Sequence, residues 1–478
     1  MRSSPALNNE NAARSDVTFC MKVYGCQMNV YDSDRVRTAL TKRGWRELPL
    51  DREGEADLIV ITGCSVRAKA EQKVWSELGR YEASWKRGRH PTVALTGCIA
   101  QSRGEDGEIT LGRRALSRFP WVRLISGPRH IGLLPDGLAR VMSDPRLKLD
   151  LLDGDPREFF DLDEVAVRRE NRWKAYVTIA HGCDNFCSYC IVPHVRGRFL
   201  SRPEEDVLRE ARALVEDGVR EITLLGQNVN SYGKDFGDPD ITFAALLRRV
   251  GRIDGLVRVR FVTSLPQDFT QDIVEVMAEE PAVCPSLNLP IQSGSDRILK
   301  LMNRKYTRAE YMDKVAMVRS ALGGAEALGL TTDLIVGFPG ETEEDFEDSL
   351  SALEEVRFDL VHSAAYSERE GTPAAAMPGS LPREVRLERL TRLNQRQDAI
   401  TLSINEGLVG RTFPVLVEGP APRGLDPAGK RLLQGRTPTD KVTIFPGDEA
   451  LLGQFADVRI TKAEAWCLRG EVTGSIIP

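Results

Sequence analysis

The chain has 478 residues, of which 41% are hydrophobic and 28% are charged, and its formal net charge is −5. This composition excludes a largely disordered chain, and the negative charge excludes a general electrostatic attraction to nucleic acid. A single hydrophobic core stops growing at roughly 250 to 300 residues, so we expect more than one domain. Residues 1–16 lack an apolar segment of signal-peptide length, and no later run reaches the roughly 18 apolar residues of a membrane span. We therefore predict a disordered leader at residues 1–16 and a cytoplasmic protein without membrane attachment.

The amino-terminal part repeats one pattern three times, an apolar, β-branched run that ends in Gly-Cys. The three runs are TFCMKVYGC, ADLIVITGC and PTVALTGC, and helix-like segments separate them. Alternating strands and helices predict an open parallel α/β domain, which we place at residues 17–135. Because the carboxyl ends of parallel strands share one edge, Cys26, Cys64 and Cys98 are predicted to be neighbours that bind one ligand. The alternative is that each is a small buried hydrophobic residue at a strand end.

The sequence then becomes irregular and acidic, and residues 136–170 are predicted to be a linker. Strand-like runs recur after it, each followed by a helix-like run: KAYVTIA, EITLLGQ, RVRFVTS, SLNLPI, LTTDLIVG and DLVHSAAYS. This alternation predicts a partial (βα)6 barrel over residues 171–400 rather than a closed eight-fold barrel, so the whole chain is of the α/β class. The functional face of such a barrel is the one at the carboxyl ends of its strands.

The last segment, residues 401–478, changes to short β-rich runs broken by glycine and proline, which predicts a small antiparallel β-barrel. Barrels of this kind often bind nucleic acid. From residue 411 onward, however, nine Lys and Arg face eight Asp and Glu, which leaves only one net positive charge. A module that serves packing alone is therefore an equal alternative.

Any contact with RNA must be local in a chain with this net charge. Two groups of arginines are candidates: Arg196, Arg198 and Arg202, and a series at near-helical spacing, Arg383, Arg386, Arg389, Arg392 and Arg396. A solvated helix face is the favoured interpretation of the second group.

Three cysteines lie within HGCDNFCSYC at residues 181–190, at the spacing C-x-x-x-C-x-x-C. Cys183, Cys187 and Cys190 directly follow the first barrel strand, so the loop lies at the carboxyl mouth of the predicted barrel. Three thiolates without a fourth ligand suit an iron-sulfur cube with one open iron, whereas structural zinc prefers four closed ligands. A zinc site that also uses His181 or His194 is the alternative.

This loop resembles the signature of radical S-adenosylmethionine (SAM) enzymes. The resemblance extends from about residue 17 over nearly the whole chain, which is identified as a member of the radical SAM methylthiotransferase family. The segments that carry it are YGCQMNVYDSDR, TGCSVRAKAEQKV, LTGCIAQ, CDNFCSYCIVPHVRGRFLSRP, LLGQNVNSYG, LPIQSGSDRILKLMNRKYTRAEY, TDLIVGFPGETEEDF and YSEREGTPAAAM, and the tail resembles the RNA-binding TRAM domain. YGCQMN and TGCSVRAKAE are most similar to the branch that acts on N6-isopentenyladenosine beside the tRNA anticodon.

The resemblance implies two 4Fe-4S clusters and SAM as cofactors. Cys26, Cys64 and Cys98 would hold an auxiliary cluster, and Cys183, Cys187 and Cys190 the catalytic, SAM-binding cluster. One SAM would methylate sulfur on the auxiliary cluster, and a second would give the 5′-deoxyadenosyl radical that removes hydrogen from adenine C2. Both clusters would therefore have to face one pocket. The implied partners are a tRNA anticodon stem-loop with isopentenyladenosine at position 37, an electron donor such as flavodoxin or ferredoxin, and a sulfur donor. We expect a monomer.

Further residues are assigned by the same resemblance. Tyr189 would lie beside the SAM adenine, with local core packing as the alternative. Gln292, Ser293 and Gly294 would line the SAM pocket, or would form the turn and N-cap of the following helix. Asn288 and Leu265 depart from the family pattern, which has histidine at these positions.

Three cysteines match no ligand of the family and are expected to be structural: Cys20, Cys284 and Cys467, the last in the core beside Trp466.

Two other functions remain open from the sequence. The same chemistry could act on threonylcarbamoyl-adenosine of tRNA or on a ribosomal-protein aspartate. A function of another class is that of a non-catalytic, zinc-containing RNA-binding protein.

Overall fold

The computed structural model of the chain describes residues 16–66, 68–88, 91–103, 110–153, 169, 171–425 and 429–477. Almost all of the predicted leader lies outside these residues. The chain forms two compact units, which divide after Arg168. Among the described helices, none combines the length and the apolar character needed to cross a membrane.

The first unit is built on a six-stranded, fully parallel sheet with the strand order β2-β1-β3-β4-β5-β6. Its elements are β1 (Thr18–Tyr24), α1 (Gln27–Lys42), β2 (Arg46–Glu47), β3 (Leu58–Gly63), α2 (Ala68–Lys86), β4 (Thr92–Thr96), α3 (Cys98–Gln101), α4 (Leu111–Arg118), β5 (Val122–Ser126), α5 (Leu134–Ser143) and β6 (Leu149–Leu151). The predicted open parallel α/β domain is confirmed.

The four central strands of this sheet, β1, β3, β4 and β5, send side chains into two cores, one on each face. Ile59 and Ile61 of β3 join the core under α2, whereas Leu58 and Val60 join the core under α1 and α5. All six residues of β3 are buried, as expected of a central strand in a parallel sheet covered on both faces. The continuous apolar run LIVITG is the sequence signal of this arrangement.

The predicted linker begins too early in the sequence, because α5 and β6 belong to the sheet domain. Leu149 of β6 pairs with Leu124 of β5, and Leu138 of α5 is fully buried. The three-residue strand β6 is too short to show a periodic pattern in the sequence. Pro135 and Gly137 are residues that usually disfavour helix, so the sequence did not indicate α5. Residues 154–168 and 170 of the predicted linker lie outside the described residues.

The second unit contains a partial barrel and a small closed barrel. The partial barrel consists of β7 (Lys174–Thr178), β8 (Ala180–His181), α6 (Val192–Arg196), β9 (Leu200–Ser201), α7 (Glu204–Glu216), β10 (Glu221–Leu225), α8 (Phe243–Gly251), β11 (Arg258–Phe261), α9 (Gln271–Glu279), β12 (Ser286–Asn288), α10 (Asp296–Leu301), α11 (Arg308–Ala321), β13 (Gly329–Val336), α12 (Glu343–Val356), β14 (Leu360–Ala365) and α13 (Arg383–Glu406).

Two parallel three-stranded sheets, β7-β10-β11 and β12-β13-β14, form the barrel wall. A parallel bridge between Val259 and Val283 and a hydrogen bond from Ser264 N to Asn288 O, 3.4 Å long, join the two sheets. The six predicted barrel strands are confirmed.

The carboxy-terminal barrel has the strand order β15-β16-β17-β19-β18. Its strands are β15 (Thr412–Leu425), β16 (Arg431–Arg436), β17 (Val442–Pro446), β18 (Phe455–Ala463) and β19 (Leu468–Ile477). The predicted small barrel is confirmed, with one difference: β17 and β19 pair in parallel, whereas the other pairs are antiparallel.

This closed barrel packs on the amino ends of the partial-barrel strands. Arg258 donates to the carbonyl of Arg436 and Arg260 to that of Thr437, each over 2.8 Å. Because the cysteine loop follows β7, the loop and the closed barrel lie at opposite ends of the strands.

A buried carboxylate holds these arginines. Glu221 pairs with Lys174 over 3.0 Å and with Arg260 over 3.2 Å, and Arg258 lies 3.7 Å away. Burial alone would raise the pKa of Glu221, but Arg260, Lys174 and Arg258 lower it to about 2. The carboxylate therefore stays ionised inside the protein.

Candidate active site

Cys26, Cys64 and Cys98, here called the sheet-edge triad, lie at the carboxyl ends of three adjacent strands. Cys26 follows β1 as the N-cap of α1, Cys64 follows β3, and Cys98 begins α3 after β4. This location confirms the strand-end prediction made from the Gly-Cys pattern.

The turn at Gly25 brings the first two of these cysteines together. Gly25 has a φ of 137°, and a Cβ at this position would collide with Cβ of Cys64. A hydrogen bond with Cys26, then burial, then the neighbouring Cys98 raise the pKa of the Cys64 thiol. Val66 N donates to Sγ of Cys64 over 3.3 Å. The three thiols are therefore close enough to influence one another.

The surroundings of the sheet-edge triad fit a sulfur-rich cluster. Ser65 Oγ and Thr96 Oγ1 are buried beside Cys64 and Cys98, and neither has a hydrogen-bond partner among the described residues. Such hydroxyls can donate to sulfur atoms of a bound cluster. In the described part of the chain, no group of three or more His, Cys, Asp or Glu is set to hold a single metal ion. A cluster binds each thiolate through a different iron, so it accepts a wider spacing than one ion does.

Cys183, Cys187 and Cys190, here called the loop triad, lie in the turn between β8 and β9. The antiparallel pairing of these two strands closes the base of the loop, and Cys183 N donates to Gly197 O over 3.1 Å. Ser188 anchors the tip, because its N donates to Met302 O and its Oγ to Leu301 O. The end of α10 therefore fixes the loop.

Two side chains donate to thiols of the loop triad. Asn185 Nδ2 donates to Sγ of Cys183 over 3.3 Å, and Arg304 Nη1 donates to Sγ of Cys187 over 3.5 Å. Burial, with added repulsion from Cys187, raises the pKa of the Cys190 thiol to about 12. Burial also raises the pKa of Cys183. The free thiols of Cys183 and Cys190 therefore stay protonated at neutral pH, and bound iron would deprotonate them.

A cavity of about 500 Å³ opens next to this loop, between the segments after β10 and β11. Gln267 lies on its wall and donates to Asn185 Oδ1 over 2.7 Å. Through Asn185, the cavity wall is two hydrogen bonds from Cys183.

The residues predicted to contact SAM make packing and hydrogen-bond contacts within the protein. Tyr189 is half-buried against an apolar cluster that includes Met302 and Phe338. Gly294 N donates to Ser349 Oγ over 3.0 Å, and a Cβ on Gly294 would collide with the carbonyl of Asp348.

Two neighbours of Gly294 have similar backbone roles. Ser293 Oγ accepts from Ser295 N, and Ser295 is the N-cap of α10. Gln292 has a positive φ of 70°, and its N donates to Asp333 O. The SAM contacts of Tyr189, Gln292, Ser293 and Gly294 stay predictions.

Four buried polar residues at the carboxyl ends of the strands were not found from the sequence. Each has an atom without a hydrogen-bond partner in the described residues: Asn228 Oδ1, Ser264 Oγ, Glu341 Oε1 and Tyr366 OH. They follow β10, β11, β13 and β14 in turn. A polar ligand such as SAM fits this mouth, because its amine, carboxylate and ribose can pair with such atoms. The signal would have been polar residues at the carboxyl end of each predicted strand or just after it.

Four of the five arginines of the helical series, all except the exposed Arg383, have partners within the described part of the fold. Arg389 pairs with Glu341 over 2.6 Å, Arg396 with Glu354 over 3.0 Å, and Arg386 donates to Tyr366 O over 2.7 Å. Of the group after the loop triad, Arg196 and Arg202 are buried, and only Arg198 is exposed.

Of the three remaining cysteines, which were expected to be structural, Cys20 and Cys284 are buried. The prediction for Cys467 is wrong, because it is only half-buried and Trp466 is 69% exposed at a hairpin tip.

Three family models match separate parts of the chain. The Radical SAM superfamily model matches residues 177–353, the TRAM domain model matches residues 407–473, and the model named Uncharacterized protein family UPF0004 matches residues 18–112. A tRNA-2-methylthio-N(6)-dimethylallyladenosine synthase of Moorella thermoacetica is 44% identical over 457 residues, which are 95% of this chain and 98% of that protein. The chain belongs to this synthase family. The synthase of Geobacter metallireducens is also 44% identical, over 95% of this chain and 97% of its own.

The family, the fold class and the prediction of an enzyme are thereby confirmed. Among solved structures, a radical S-adenosylmethionine methyltransferase, TsrM, from Kitasatospora setae has a TM-score of 0.54 at 16% identity and covers 76% of this chain and 75% of its own. This likeness shows the fold alone.

Asn288 and Leu265 are the two positions that the resemblance marks as departures from the family pattern. Asn288 Nδ2 donates to Thr331 Oγ1 over 3.2 Å, and Leu265 is buried. Neither residue contacts a thiol through a described hydrogen bond.

Proposed function

We propose that this chain converts N6-isopentenyladenosine at position 37 of tRNA to 2-methylthio-N6-isopentenyladenosine. The observation that carries the proposal is the presence of two triads of thiols, each at the carboxyl edge of its own parallel sheet. Relatives named as synthases of the dimethylallyl form of this nucleoside match 95% of the chain.

In this proposal the sheet-edge triad holds an auxiliary 4Fe-4S cluster and the loop triad holds the cluster that binds SAM. When bound, these groups supply radical abstraction of hydrogen from adenine C2 and a methylthio group in its place, with two SAM molecules used per turnover. Adenine C2–H is neither acidic nor a site for a leaving group, so polar base catalysis would contribute little.

In this proposal the side chains of the chain ligate the two clusters, position their thiolates and keep water away from them. Asn185 and Arg304 would fix two of the three loop thiolates by charge-assisted or neutral hydrogen bonds. Burial of Cys64 and Cys98 keeps water from the sheet-edge triad. The carboxyl mouth offers unpaired polar atoms to SAM.

The proposed reaction also needs an electron and a sulfur atom from partner molecules. An electron must come from a donor such as flavodoxin or ferredoxin, and the sulfur used in each turnover must come from a sulfur donor. We also propose that the enzyme is a monomer and acts in the cytoplasm on the tRNA anticodon stem-loop.

RNA mass spectrometry of a deletion strain tests the substrate. The strain should lack 2-methylthio-isopentenyladenosine and accumulate isopentenyladenosine. A normal level of the methylthio nucleoside would contradict the proposal. Loss of methylthiolation on threonylcarbamoyl-adenosine or on a ribosomal-protein aspartate would instead indicate the same chemistry on another substrate.

Anaerobic purification with iron, sulfide and zinc analysis tests the cofactors. Wild type should contain about eight iron atoms, and replacing either triad by alanine should remove about half of them. A content of about one zinc per chain without sulfide would exclude the iron-sulfur enzyme and favour a non-catalytic, zinc-containing RNA-binding protein.

A further inference from the structure

Four side chains form a charged and aromatic surface on and beside the cysteine loop, and we call it the loop patch: Asp184, Phe186, Arg198 and Lys305. Phe186 lies between two cysteines of the loop triad and is 44% exposed. A single exposed aromatic side chain needs no explanation by itself, so its support and its neighbours decide whether it has a function.

The backbone holds Phe186 in its exposed position. Its φ is 46°, in the left-handed region that a bulky residue adopts only when the surrounding structure imposes it. Asn303 Nδ2 donates to the carbonyl of Phe186 over 2.9 Å and thereby fixes the turn. Tyr189, three residues later, packs into the apolar cluster instead. The exposed ring is therefore a built feature of the loop.

Arg198 covers this ring with its guanidinium. Its Cζ lies 5.3 Å from the centroid of the Phe186 ring, and its side chain is 75% exposed. Asp184 Oδ1 lies 2.9 Å from Arg198 Nε and also accepts from Phe199 N over 3.0 Å. The carboxylate orients the arginine, and most of the arginine side chain remains open to solvent.

Lys305 adds a second cation. Its Nζ donates to Asn303 Oδ1 over 2.6 Å, and Asn303 in turn holds Phe186. With Arg198 and Lys305 against Asp184, the loop patch carries one net positive charge in a chain whose net charge is −5. An exposed aromatic ring with arginine and lysine beside it is the chemistry that binds single-stranded RNA.

From this arrangement we propose that the loop patch binds a single-stranded part of the RNA substrate next to the modified adenosine. A flanking base stacks on Phe186 and Arg198, and phosphate groups pair with Arg198 and Lys305. This inference depends on the proposed function, because it requires RNA as the substrate. It adds a contact beside the catalytic loop, at the opposite end of the strands from the closed barrel.

The test is binding of the full, cluster-loaded chain to an anticodon stem-loop RNA that carries isopentenyladenosine, measured anaerobically by fluorescence anisotropy. Phe186→Leu keeps an apolar side chain but removes the stacking ring, and we expect its Kd to rise about fivefold to a hundredfold. Arg198→Ala should raise the Kd and reduce the slope of log Kd against log salt by about 0.7, the contribution of one phosphate contact in single-stranded nucleic acid. The salt slope of Phe186→Leu should equal that of wild type.

The chain offers matched controls in the same unit. Phe236 is 38% exposed, and Arg209 is 58% exposed with its Nη1 2.9 Å from Asp206 Oδ1. Phe236→Leu and Arg209→Ala should bind the RNA as wild type does.

The outcomes separate the inference from the proposed function. Wild-type affinity and salt slope in both variants would overturn the inference alone. Iron loss in Phe186→Leu with unchanged RNA binding would show that the ring protects the cluster from solvent, and this result would also overturn the inference. If Phe186→Leu loses both iron and RNA binding, the result for Arg198→Ala decides, because Arg198 is exposed. A higher Kd and a smaller salt slope in Arg198→Ala would support the inference, and wild-type values would overturn it. Failure of wild type to bind the RNA would contradict the proposed function itself.

Discussion

Arg304 donates through Nη1 to Sγ of Cys187 over 3.5 Å, although the two residues are 117 positions apart in sequence. The arginine is only 7% exposed, so its charge is poorly screened by water. Hydrogen bonds and positive charge at a thiolate ligand favour the reduced, more negative form of an iron-sulfur cluster. Arg304 should therefore raise the reduction potential of a cluster held by the loop triad.

Arg304→Gln should make this cluster harder to reduce. We expect a more negative midpoint potential in an anaerobic EPR redox titration without SAM, where 59 mV corresponds to a tenfold change in the ratio of reduced to oxidised cluster. Arg308→Gln is the control, because Arg308 donates to Ser351 and pairs with Glu355 on α12, not to a thiol. If the midpoint potential is unchanged and SAM binding is weaker, Arg304 binds SAM and does not tune the cluster through Cys187.

The two triads should have separable roles. Cys187→Ala should abolish SAM cleavage, because under the proposed function it removes a ligand of the cluster that binds SAM. Cys64→Ala should leave 5′-deoxyadenosine formation measurable and should end methylthiolation of the RNA. Chromatography of 5′-deoxyadenosine and mass spectrometry of the RNA product measure the two activities. Equal loss of both in a folded Cys64→Ala protein would contradict the separation.

The sheet-edge triad could be predicted from sequence because each cysteine ends a local pattern. A β-branched run gives the strand, Gly-Cys gives its end, and the parallel arrangement of β1, β3 and β4 places the ends together. The loop triad was equally accessible, since its three cysteines lie within eight residues.

The contacts that orient the thiols could not be predicted in this way. Arg304, between α10 and α11, and Gln267, after β11, contact the loop from segments distant in the sequence, and such long-range contacts leave no periodic signal. The helical arginine series shows a second limit of the sequence. Its spacing was visible, but the partners Glu341 and Glu354, which occupy Arg389 and Arg396, are known only from the fold.

Glu221→Gln should destabilise the second unit. The substitution leaves Lys174, Arg258 and Arg260 buried without their common carboxylate, which costs about 3 to 5 kcal/mol for a buried ion pair. Thermal unfolding of the metal-free protein, followed by circular dichroism, should show a lower Tm. Glu279→Gln is the control, because Glu279 pairs with Arg248 at the surface.

The effect of Glu221 should depend on pH in one direction. Its pKa is about 2 in the folded chain and about 4.3 in an unfolded chain, so the unfolded state binds a proton first as the pH falls. The stabilisation is fully present above about pH 5 and is lost between about pH 4 and pH 2. The difference in unfolding free energy between wild type and Glu221→Gln should therefore shrink on acidification. A difference that grows below pH 5 would contradict the assignment.

Gly25→Ala should damage the sheet-edge triad specifically. Gly25 has a positive φ of 137°, and its new Cβ would collide with Cβ of Cys64, so the turn that brings Cys26 beside Cys64 must open. We expect loss of about half of the iron, with SAM cleavage retained by the loop cluster. Gly79→Ala is the matched control, because a Cβ at this position in α2 meets no atom within 4 Å and alanine favours the helix. This control should keep all its iron. Full iron content and normal methylthiolation in Gly25→Ala would show that the triad tolerates an open turn, and that the close approach of Gly25 to Cys64 is not required for cluster binding.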